Sequence, residues 1–72
     1  MVNVMELIKG LLKSCRDLIE LCEKARNVDK DVFAHVERAT KEIAAALITL
    51  RTRGKLDPET EKELESILGA VG

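Results

Sequence analysis

His35 is the only histidine in the chain, and Cys15, Cys22 and Glu42 are the residues whose types would best complete a metal site around it. Zinc is held by four close ligands, most often drawn from short-spaced pairs such as C-x2-C. The two cysteines stand seven residues apart, and no such pair occurs. No metal or other cofactor is therefore expected, and His35 reads as a partly exposed histidine near a helix start. The stretch "AHVERATK" also sets Arg38 three residues after His35, a spacing that a phosphate-accepting histidine on a helical bundle would use. One histidine and one arginine carry none of the more specific surroundings of a phosphotransfer domain, so the pair reads as part of a solvated helix face.

Nucleic acid is the other chemistry that the charges suggest. Lys9, Lys13 and Arg16 form a basic stripe near the N-terminus, and Arg51, Arg53 and Lys55 cluster around Gly54. A hairpin would bring the two groups to one end, which makes a small dimeric nucleic-acid-binding regulator the alternative reading. No base-stacking aromatic accompanies them, and no Asn or Gln is placed to read a base edge. Lys and Arg total 12 against 13 Asp and Glu, a net charge of −1, which advertises neither a polyanion nor an anionic membrane as partner. No Ser-His-Asp set, Gly-rich phosphate loop or isolated carboxylate pair is present, so catalysis is not expected.

Cys15 and Cys22 on one helix lie roughly 10.5 Å apart along its axis, too far to bond to each other. They read as reduced, core-filling thiols. The sharper possibility is an intersubunit crosslink, because two antiparallel copies centred near Leu18 would set Cys15 opposite Cys22.

These residues must be positioned by a single domain spanning residues 1–72. Hydrophobic residues make up 46% and charged residues 35%, and Phe33 is the only aromatic. The core is therefore aliphatic, as in helix bundles rather than small β-barrels. A chain this short hides only about 60% of its unfolded surface. A second copy, a disulfide or a metal is the usual supplement. "MVNVMELIKG" lacks the basic segment of a secretory signal, and no 18-residue apolar run occurs. The expected location is cytoplasmic.

Periodicity predicts an all-α chain with helices over about 3–27, 30–53 and 58–70. In the first, Val4, Ile8, Leu11, Cys15, Leu18, Cys22 and Ala25 alternate spacings of four and three, the pattern of a helix seam. In the second, Val32, Val36, Ala39, Ile43, Ala46 and Leu50 repeat it, with Phe33, Thr40 and Leu47 alongside. Arg51, Arg53 and Gly54 suit a helix end, and Asp57-Pro58 suits the start of the third helix. That helix presents Leu64, Ile67, Leu68 and Val71 on one face. The heptad phase continues through "RNVDKDVF", so a single long rod is compatible with it. Against the rod, Asn27, Asp29 and Asp31 are poor inside a helix and good at its caps. An antiparallel hairpin is the reading adopted. A turn near Val28–Asp29 makes facing positions sum to about 57, with Leu18 opposite Ala39, Leu11 opposite Ala46 and Cys22 near His35. The third helix is expected to cross the open end.

The apolar arc of helix 1 spans roughly 160–200°, more than one partner helix covers. Met5, Leu7, Ile8, Leu11, Leu12, Cys15, Leu18, Ile19, Leu21 and Cys22 are the expected interface. The expected assembly is a homodimer with a four-helix core. The function this implies is that of a protein–protein interaction module, such as an accessory subunit, adaptor or small helical chaperone. It would bind itself or a partner's amphipathic helix.

Overall fold

The computed structural model describes residues 3–71, which form α1 (Val4–Arg26), α2 (Lys30–Thr52) and α3 (Pro58–Val71). Among the described residues there is no strand. Asn3 enters α1 in an extended conformation, and its side-chain oxygen accepts the Met5 amide at 2.9 Å. That bond satisfies one of the donors a helix start leaves open.

The chain turns at Asn27–Asp29. The Val28 and Asp29 amides both donate to the Ala25 carbonyl, at 3.0 and 3.1 Å, which closes α1. Asp29 is extended (φ −163°, ψ 132°), and its Oδ1 accepts the amides of Asp31 at 2.8 Å and Val32 at 3.1 Å. A rod would hold Asp29 in helical geometry, where its carboxylate competes with the backbone instead of completing it. The hairpin is thus made by a capping aspartate, with no Gly or Pro at the turn. The Arg26 guanidinium lies 5.1 Å from the centroid of the Phe33 ring and bridges the two helices beside the bend. Asp29→Ala is expected to lower stability by about 1 kcal/mol, read as a lower denaturant midpoint at unchanged slope. A gain in helix content on that substitution would instead point to the rod.

α2 ends in a paired cap. The Lys55 amide donates to the Leu50 carbonyl at 2.9 Å and the Gly54 amide to Arg51 at 3.0 Å, with Gly54 at φ +70°. Glycine takes that left-handed conformation without a Cβ clash. Asp57 then starts α3, its Oδ1 accepting the Thr60 amide at 2.8 Å. Hydrogen bonds from the Thr60 side chain and amide hold the Asp57 carboxyl below the usual range.

The buried cluster joins Ile8, Leu12 and Cys15 of α1, Ala44 and Leu47 of α2, Leu56 of the connection, and Leu64 and Ile67 of α3. Leu68 is half-buried against it, and the side chain of Val71 lies outside the described residues. Thr40, the buried polar group at the centre of α2, donates its hydroxyl to the Val36 carbonyl at 2.8 Å.

Two expectations are corrected. The register is offset from the expected one: Cys22 Sγ lies 3.5 Å from Thr40 Oγ1, and Arg26 covers Phe33. Facing numbers therefore sum to 62 (22 + 40) and 59 (26 + 33), not 57. Cys22 meets Thr40 instead of His35, and Ala39 is exposed. Nor does α3 cross the open end. Thr60 and Glu63 line one cleft with Met5, Leu12 and Arg16, and Ala70 lines another with Ile19, Phe33 and Thr40. α3 therefore lies along one side of the hairpin, from its open end towards the turn. This placement also explains the register. Helices packing around a third helix point the centre of their apolar arcs at the common junction, not only at each other.

Candidate protein-interaction surface

The ten α1 residues expected at an interface separate into three groups. Ile8, Leu12 and Cys15 are 1%, 4% and 0% exposed; they belong to the chain's own core, a correction to the interface reading. Met5, Ile19 and Cys22 line the clefts beside α3, Met5 at the rim and still 45% exposed. Leu7 and Leu21 remain 44% and 49% exposed, with Leu11 and Leu18 half-buried between them. At 100° per residue, Leu7 and Leu21 stand more than about 120° around α1 from Met5 and Arg16, the residues beside α3. They lie on the opposite face of the hairpin.

α2 contributes to the same face. Val32 is 48% exposed, Ala39 is exposed, and Ile43, Ala46 and Leu50 are half-buried. By the same rotation these residues point away from Glu37, which lines the Ala70 cleft. Periodicity places this stripe at the contact with α1. Ile43 and Leu50 of that stripe do pack against the core at their inner edge, but the fully buried α2 residues lie one step round the helix, at Thr40, Ala44 and Leu47. The signal available for that was the row of apolar residues flanking the seam. The result is a two-helix apolar face left uncovered by α3.

The basic residues of α1 stand beside acids. Lys13 Nζ bonds Asp17 Oδ2 at 3.0 Å, and Arg16 bonds Glu63 Oε2 across to α3 at 3.0 Å. Lys9 shares its cleft with Asp57, Glu59 and Glu63. Arg51 is half-buried, whereas Arg53 and Lys55 are exposed. The acidic first half of α3 thus stands among the cations of α1, which weighs against a polyanion surface. These exposed pairs add little stability of their own.

His35 and Arg38 are exposed, and among the described residues no three His, Cys, Asp or Glu side chains stand close enough together to hold a metal ion. No described helix is long and apolar enough to cross a membrane. Both cysteines are free. Burial pushes the Cys15 thiol up, and its place in the core keeps it from a partner's Cys22, contrary to the crosslink considered from sequence. Under native conditions near neutral pH, a thiol reagent should therefore label Cys22 ahead of Cys15, with both reacting fully in denaturant. Equal native rates would contradict this packing.

No family model, curated protein or solved structure matches this chain.

Proposed function

We propose that this protein is a non-catalytic protein–protein interaction module that works through the hairpin face opposite α3. The observation that carries this reading is the line of Leu7, Leu11, Leu18 and Leu21 on α1, its ends 44% and 49% exposed, beside the Val32–Leu50 stripe of α2. Large aliphatic side chains kept in rows on two adjacent helices form a contiguous patch, unlike the scattered apolar residues of an ordinary surface. Such a face accepts apolar helices, from a second copy or from another protein. Adaptor and accessory-subunit roles need nothing more than this.

An apolar dye, anilinonaphthalene sulfonate, tests the face together with sedimentation. The reading predicts either self-association or dye binding by the monomer, and loss of both in Leu7→Asp/Leu21→Asp. A monomer that binds no dye would refute it.

A further inference from the structure

We infer that the occupant of this face is a second copy of the chain, docked with α1 antiparallel to its counterpart about a two-fold axis at Ser14. The inference rests on the interaction reading above and names its partner. Three features carry it.

The first is width. α1 and α2 have 23 residues each, about 34 Å of helix at 1.5 Å per residue. With axes roughly 8–10 Å apart, the face measures on the order of 600–700 Å². Two copies would bury about 1,200–1,400 Å² in total, within the range of specific interfaces. A single partner helix fills one groove and leaves the outer edge of a two-helix face wet. A second hairpin covers both rows.

The second is symmetry. An isologous contact requires a surface that reads the same in both directions. On α1, Leu7, Leu11, Leu18 and Leu21 flank Ser14 in pairs that sum to 28 (7 + 21) and 29 (11 + 18). On α2, Ile43 and Leu50 flank Ala46. The register contacts sum to 59 and 62, and 14 + 46 = 60 sets Ser14 and Ala46 at the same level. Both rows are thus small at the centre and large on either side, the relief that lets two helix layers interdigitate.

The third is charge, which selects the pairing. Glu6, Lys13, Asp17 and Lys24 alternate in sign along the rim of α1. With α1 antiparallel to its copy, Glu6 comes nearly level with Lys24 and Lys13 with Asp17. These pairs sum to 30 against 28 at the Ser14 axis, an offset of about 3 Å. Lys13 and Asp17, which pair within each chain at 3.0 Å, would then form a four-charge cluster. Placing α1 over the copy's α2 instead sets Glu6 level with Arg53, opposite in sign, but also Asp17 level with Glu42, two like charges (both sums are 59). Complementary rims fix register more than they add affinity.

Sedimentation equilibrium of the full chain, with disulfide trapping of Ser14→Cys in a Cys22→Ser background, tests the arrangement. The expected mass is twice 8.0 kDa, and mild oxidation should convert most of the Ser14→Cys protein to a covalent dimer. A dimer trapped only when Ser14→Cys is combined with Ala46→Cys would overturn this pairing while leaving the face as the contact. A monomer that binds the apolar dye would overturn self-pairing and leave the interaction reading standing. A monomer without dye binding would remove both.

Discussion

Leu47→Ala is expected to lower the stability of the folded chain by about 2–5 kcal/mol, the range for deleting a fully enclosed leucine. Leu47 is 0% exposed at the junction of the three helices, so its loss leaves a cavity lined by α1 and α3 as well as α2. A chain of this length has a net stability of roughly 4–11 kcal/mol, so this one change removes a large share. Leu21→Ala is the internal comparison. Leu21 is already 49% exposed, and in dilute solution its truncation should cost well under the Leu47 value. Urea midpoints of the two variants measured side by side would show this ordering. Equal costs would mean that Leu21 is enclosed within the monomer, contrary to the face described here.

Leu7→Asp/Leu21→Asp should give the largest effect on association while preserving the fold. Both leucines are about half exposed, so roughly half of a full 1.5–3 kcal/mol burial remains to be gained by each on docking. Four such side chains across two copies contribute about 3–6 kcal/mol, a weakening of at least roughly a hundredfold in Kd. In the antiparallel arrangement each aspartate also faces another across the axis, which adds repulsion. Circular dichroism should remain helical, because neither side chain supports the monomer core. Loss of helical signal would mean that the face is structural.

The helices themselves were legible in the chain. Capping chemistry located their ends: Asp29 opens α2, Gly54 closes it, and Asp57-Pro58 starts α3. Each acts through the neighbouring backbone and requires no knowledge of the rest of the fold. The packing was less legible. An arc as wide as that of α1 fits two neighbours equally well, and nothing local says which part of it meets which helix. Leu12 and Ile19, read as surplus to the hairpin, are sheltered where α3 lies. Ile43 and Leu50, read as the inner seam, stand partly open because three-helix packing rotates that seam outward. For the same reason Arg16 meets an acid 47 positions away, Glu63. The excess of apolar surface on α1 was visible in the sequence; which edge of it stays uncovered depends on α3.

The most direct test of that uncovered edge is a dilution series followed by amide NMR on the assigned chain. The proposed self-pairing predicts concentration-dependent shifts at Leu7, Leu11, Leu18 and Leu21 and at Ile43, Ala46 and Leu50, with Leu64 and Ile67 of α3 unchanged. Shifts centred on α3, with the leucine row of α1 unmoved, would contradict the assignment of the contact face.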